Sequence, residues 1–129
     1  MTSACASLVC SAATVEPDCV NLSIVRGTQN RFEVIITDGF GKAVAINNDT
    51  IEFIVKDEPN GTAVFTKSNG PTEHSNPSLG ETVFDIDEAD TATASETETT
   101  YWVYEVRRTN PVSDVFVHLT GQLIVRPTI

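Results

Sequence analysis

Apolar residues in this chain recur at every second position in short runs, the period a half-buried strand requires and a helix does not tolerate. Phe32, Val34 and Ile36 alternate with Glu33 and Ile35; Ile51, Phe53 and Val55 with Glu52, Ile54 and Lys56; Trp102, Tyr104 and Val106 with Val103 and Glu105. Composition points the same way, since Val (15), Ile (9) and Thr (17) make 41 of 129 residues β-branched against only five Leu. The runs predict strands over 19–25, 31–37, 50–56, 62–66, 82–86, 101–108 and 115–126. Asp38-Gly39-Phe40-Gly41-Lys42 reads as a turn. Glu58-Pro59-Asn60-Gly61 reads as a hairpin closed by a positive φ at Gly61. Residues 67–80 are expected as a surface loop, and 87–100 as an acidic connection with room for one helical turn. With no convincing amphipathic helix, this grammar predicts an all-β, antiparallel two-sheet sandwich over 19–129. Residues 1–18 show neither period and are expected as an extended or loosely ordered arm that reaches a neighbouring subunit, the sandwich being complete without it.

Charge narrows the partners. Asp and Glu number 18 against 8 Lys and Arg, a formal charge of −10 at pH 7. A nucleic acid or an anionic membrane is therefore not expected as a partner, because binding phosphates needs a cationic surplus. No apolar run approaches the eighteen or so residues of a membrane span. The start, Met1 to Cys10, has no Lys or Arg ahead of its weakly apolar stretch and reads as mature chain. Cys5, Cys10 and Cys19 are an odd number and read as free thiols, with a Cys5–Cys10 loop as the rival. Asn-x-Ser/Thr triplets at Asn21, Asn48 and Asn60 are no more than such a composition produces by chance.

Catalytic constellations are missing from the sequence. His74 falls in a Pro- and Asn-containing loop and His118 in the last strand, neither within a nucleophile motif. From Ser68 to Val106 there is no Lys or Arg but nine acids, and Asp85-Ile86-Asp87-Glu88-Ala89-Asp90 could offer carboxylates to Ca²⁺. The ordered spacing and glycine of a calcium loop are lacking, so the segment reads first as a solvated strand end. Paired carboxylates for glycoside hydrolysis would need a cleft that a small sandwich rarely has. Gly39-Phe40-Gly41-Lys42 lacks the spacing of a phosphate loop. The expectation is no enzyme, no cofactor and no metal.

The order of motifs resembles the immunoglobulin-like domains of tailed-phage virion proteins, such as the N-terminal domain of baseplate upper proteins. It is carried by Ile24-Val25-Arg26-Gly27-Thr28 with Phe32-Glu33-Val34-Ile35-Ile36-Thr37-Asp38, then Thr50-Ile51-Glu52-Phe53-Ile54-Val55-Lys56-Asp57. The ending follows with Tyr101-Trp102-Val103-Tyr104-Glu105-Val106 and His118-Leu119-Thr120-Gly121-Gln122-Leu123-Ile124-Val125-Arg126-Pro127. The resemblance spans residues 19–129. It implies an immunoglobulin-like fold and a structural role in a virion assembled in the host cytoplasm, on the tail, baseplate or neck or as a head decoration. Its partners would be other virion proteins in a symmetric assembly.

If Ile51, Phe53, Val55, Trp102, Tyr104, Val106, Val117, Leu119, Leu123 and Val125 face the core, alternation sends Ile54, Val103, Phe116 and Ile124 outward, with Tyr101 and His118 nearby. The residues expected at an interface are therefore Ile54, Val103, Phe116, His118 and Ile124, an apolar patch on an otherwise acidic domain. The competing readings are ordinary surface β-propensity, a module binding glycan or a host surface through an exposed Trp102 or Tyr101, and a metal-dependent enzyme built on the acidic cluster.

Overall fold

The period-two runs fold as strands. The computed structural model describes residues 7–11, 21–38 and 40–128, with the backbone alone for residues 7–11 and 118. Its strands are β1 (Ser7–Ser11), β2 (Leu22–Val25), β3 (Asn30–Thr37), β4 (Thr50–Lys56), β5 (Ala63–Asn69), β6 (Glu81–Ile86), β7 (Thr100–Thr109) and β8 (Val115–Arg126). A three-stranded sheet in the order β1-β3-β6 faces a five-stranded sheet in the order β2-β8-β7-β4-β5. The expected all-β, two-sheet architecture is present.

Two features of the expectation are corrected. The sheets are mixed, because β1 runs parallel to β3 and β2 parallel to β8, while the other pairs are antiparallel. Part of the expected arm also belongs to the sandwich: Ser7 to Ser11 pair with Glu33 to Thr37 at the edge of the smaller sheet. Neither was visible as a pattern. An edge strand needs only its backbone groups to join a ladder, and Ser7-Leu8-Val9-Cys10-Ser11 carries no alternation. Cys5 and Cys19, the Cys10 side chain and the remainder of the arm lie outside the described residues.

Inward side chains from both sheets form one cluster, with Phe32, Val34, Ile36, Phe84 and Ile86 on one side and Ile51, Phe53, Val55, Trp102, Tyr104, Val106, Leu119, Leu123 and Val125 on the other. Phe53 is its hub. Its ring centroid lies 5.2 Å from Tyr104, 5.8 Å from Phe84, 6.3 Å from Phe32 and 6.3 Å from Phe65. Phe32 and Phe84 come from the opposite sheet, so one side chain couples both layers through ring contacts at favourable separations. Trp102 and Tyr104 are buried as expected, but Val117 is half exposed.

Polar side chains close the edge where β5 overhangs β6. Asn69 donates to Thr82 Oγ1 and to the Val83 carbonyl, both at 2.7 Å. Beside it, Lys67 Nζ reaches Asp90 at 2.7 Å and Asp87 at 3.4 Å. Asp87 caps a short 3-10 turn, Glu88–Thr91, and Asp90 lies within it, each side chain accepting from the other's backbone N–H. That turn is where a helical turn was expected. From the far side Arg26 holds the same connection, donating to the carbonyls of Ala94 (3.0 Å) and Ala92 (2.8 Å).

Turn chemistry differs in detail from the expectation. In the β4–β5 turn the positive φ, 62°, falls on Asn60 and not on Gly61. Gly61 is required for another reason: a Cβ there would collide with the Asp57 carboxylate and the Glu58 carbonyl.

Phe53→Ala is expected to lower unfolding free energy by about 3–5 kcal/mol in denaturant melts, the usual cost of emptying a buried aromatic site. A second expectation concerns Lys67. Burial lowers its pKa, but the hydrogen bonds and charges of Asp90 and Asp87 outweigh burial and leave it raised above the ordinary 10.5. A raised folded-state value stabilises fully below the unfolded pKa and is lost as pH rises through the folded one. Lys67→Met should therefore show a constant stability deficit between about pH 7 and 9 that closes only as pH climbs past about 10.5, followed by thermal melts.

Candidate functional site

The outer face of the five-stranded sheet carries most of the residues expected at an interface. Cross-strand pairing sets Tyr101 opposite Ile124, Val103 opposite both Gln122 and Lys56, and Glu105 opposite both Thr120 and Ile54. Ile124, Tyr101, Val103 and Ile54 thus form a diagonal apolar stripe over β8, β7 and β4. Tyr101 is exposed, Val103 and Ile124 are half-buried, and Ile54 is covered although it points away from the core. The cover comes from its neighbours around an open cleft of about 370 Å³, whose lining includes Ile54, Lys56, Pro59, Val103, Glu105 and Thr120. Glu105 lies 2.7 Å from Arg107 Nη2 and 3.6 Å from Lys56 Nζ. Two cations thus balance the half-buried Glu105 carboxylate, although neither contact has hydrogen-bond geometry.

Phe116 is not on this face. Val106 pairs with Leu119 but Arg107 pairs with Val117, so His118 is an extra residue in β8 that inverts the strand's phase beyond it. Val117, expected in the core, turns outward. Phe116, expected outward, falls opposite Arg108, which itself pairs with core residue Ile51. The side chain of His118, also expected at the interface, lies outside the described residues.

Beyond the bulge the core side ends in charged chemistry. The Arg108 guanidinium sits 4.4 Å from the Phe116 ring centroid and donates to Asp49 Oδ2 at 3.0 Å. The Arg108 and Asp49 side chains are 14% and 9% exposed. Next to them His74 Nε2 is 2.8 Å from the Asp49 carbonyl, which only accepts, so Nε2 carries the hydrogen. In the neutral ring Nδ1 then accepts from Thr82 Oγ1 at 3.0 Å. His74, expected as an ordinary loop histidine, pins the 70–80 segment against β4 and β6.

The network sits below a group of exposed apolar side chains. The turn after β3, the 70–80 connection and the β7–β8 turn all lie at one end of the sandwich, because each follows or precedes a strand terminus paired there. Among the described residues the exposed large apolar side chains are Phe40, Leu79, Tyr101, Val112, Val115, Phe116 and Val117, and all but Tyr101 are at this end. Phe40 is 97% exposed, and Asp38 Oδ1 accepts from the N–H groups of Phe40 (2.9 Å) and Lys42 (3.0 Å). The signal was available in Gly39-Phe40-Gly41, since a large ring between two turn glycines has no core to enter.

The acidic cluster is occupied by protein cations. Asp85 pairs with Arg31 at 2.8 Å, while Asp87 and Asp90 hold Lys67. Among the described residues no group of three His, Cys, Asp or Glu is placed to hold a metal ion. Nor is any helix long and apolar enough to cross a membrane.

No family model matches the chain, and no curated protein matches it. Among solved structures the fold is similar to the N-terminal domain of phage TP901-1 ORF48. The TM-score is 0.53 at 11% identity, and the match covers 93% of this chain and 96% of that one. At this identity the likeness establishes a shared fold, and it spans nearly the whole of both chains.

Asp49→Asn would take away the carboxylate charge that faces the largely buried Arg108 guanidinium. It is expected to cost about 3 kcal/mol, the lower end for breaking a buried pair because Arg108 keeps one edge in water. Urea melts of the variant check this, and a loss under about 0.5 kcal/mol would reduce the pair to an ordinary surface contact.

Proposed function

We propose that the protein is a non-enzymatic structural subunit of a tailed-phage virion, with an immunoglobulin-like sandwich whose apolar end docks on another virion protein in a symmetric assembly. The observation that carries this reading is the concentration of exposed Leu79, Val112, Val115, Phe116 and Val117 at one end of an otherwise acidic domain. An isolated monomer gains nothing from exposing them. Burial against a partner is worth about 25 cal/mol per Å² of apolar surface before association costs, and a few well-packed residues can dominate the result. The fold likeness to the phage domain supplies the setting. The strand order, with β2 beside the last strand β8 and the β3/β6 pair facing β7 and β4, supports the immunoglobulin-like description. Tail, baseplate, neck and head surface are all compatible sites, and the virion is the expected location.

The reading departs from sequence expectation in where contact is made. Phe116 moves from the sheet face to the sandwich end, and the β7–β8 turn joins it. Trp102 is buried, which takes away the indole that a glycan-binding reading would have used and leaves Tyr101 alone on that face.

Val112→Asp with Val115→Ser tests the proposal, because both side chains are exposed and surface substitutions of this kind change stability by about 0.5 kcal/mol or less. The double variant should melt like the wild type and fail to incorporate into particles. Wild-type incorporation would move the interface off this end.

A further inference from the structure

The turn between β4 and β5 carries a reactive pair that its own geometry selects. Glu58-Pro59-Asn60-Gly61 closes with the Gly61 N–H donating to the Glu58 carbonyl at 2.8 Å, and its third residue, Asn60, has φ 62°. A turn with Pro second and a positive φ third favours Gly or Asn at that third place. Its fourth residue has to be Gly, because a Cβ there would collide with Asp57 and the Glu58 backbone. Backbone and space together therefore select an Asn-Gly pair on an exposed loop.

Asn-Gly pairs are among the most reactive amide sites of a polypeptide. With no Cβ to shield it, the glycine nitrogen can reach the asparagine carboxamide carbon. The chain has eight asparagines, and of these only Asn60 and Asn69 precede glycine. The fold treats the two in opposite ways. Asn69 ends β5 with its carboxamide nitrogen donating to Thr82 Oγ1 and the Val83 carbonyl, both at 2.7 Å, and Thr82 is fully buried. To react, that carboxamide must first leave the seam between the sheets. Asn60 is exposed, and among the described residues no hydrogen bond holds its carboxamide. A single turn hydrogen bond ties Gly61 N, and an exposed turn opens at little cost.

We propose that Asn60 is a site of spontaneous deamidation in the folded protein and that the fold protects Asn69 from the same reaction. Solvent hydroxide takes the proton of Gly61 N, and the nitrogen's electron pair attacks Asn60 Cγ. The new N–C bond closes a five-membered imide as the Cγ–Nδ2 bond breaks, and the amide nitrogen leaves as ammonia with a proton from water, which restores the hydroxide. Water then opens the imide at either carbonyl to give aspartate or isoaspartate. Nothing is oxidised or reduced. Either product adds one negative charge at the cleft on the outer sheet face, whose lining includes Asn60. Isoaspartate also lengthens the backbone by a methylene, at a turn whose length fixes the β4–β5 register. The reaction needs only the full chain and is independent of any role in a virion.

Trypsin separates the two sites, because Lys56, Lys67 and Arg107 are successive basic residues: 57–67 carries Asn60 and 68–107 carries Asn69. The folded full chain is held in mildly alkaline buffer at body temperature and sampled over weeks, with fragment spectra locating each modified residue. Asn60 should gain the mass of an NH2-to-OH exchange about tenfold faster than Asn69. In guanidinium chloride, where neither turn nor seam persists, the two rates should converge. Asn60→Gly keeps the positive φ and removes the amide, so it should melt like fresh wild type and form no acidic species at 57–67. Equal rates at the two sites in the folded chain, or an unmodified Asn60 there after the unfolded sample has converted, would overturn the proposal.

Discussion

The contact of Phe53 with Phe32 and Phe84 joins the two sheets, and the remaining structure depends on it. Tyr104, Phe65 and through it Trp102, 6.4 Å from Phe65, arrange themselves around that contact. With the layers held together, their open edge and ends must still satisfy polar groups, and Asn69, Lys67 and Arg26 do so along the seam. The acidic connection between β6 and β7 is thereby used in folding: its carboxylates and carbonyls are the counterparts of Lys67 and Arg26. Within Asp85–Asp90, the segment that as sequence suggested a cation site, Asp85 pairs with Arg31 and Asp87 and Asp90 with Lys67.

How much of this could be read from sequence follows from what alternation can carry. Strands β3, β4, β6 and β7 each bury one face, so their pattern announces both existence and phase. The phase of β8 carries through Leu119, Leu123 and Val125 and then fails at His118, because one inserted residue inverts every side chain before it. Val117 and Phe116 exchange faces for that reason alone. Strand β1 was invisible because an edge strand can be held by backbone pairing. The role of His74 is hidden in the sequence because the Asp49 carbonyl that it meets belongs to another connection, 25 residues earlier.

The shift in phase matters for function. With Phe116 on the outer sheet face, the apolar surface would have been one broad patch. The structure separates it into a partly covered stripe with a cleft and an exposed end built from three connections. The end is stiffened from beneath, where the Asp49–Arg108 pair orients the guanidinium over Phe116 and His74 fastens the neighbouring connection. Preorganised apolar surface of this kind suits rigid docking, since few rotamers are lost on contact.

The location of that contact can be measured directly by hydroxyl-radical footprinting of the protein free and within assembled particles. Docking through the sandwich end requires Phe116 and Leu79 to become protected on assembly. Unchanged reactivity at both, with protection confined to Tyr101 on the sheet face, would contradict it and return the interface to the face that simple alternation had indicated.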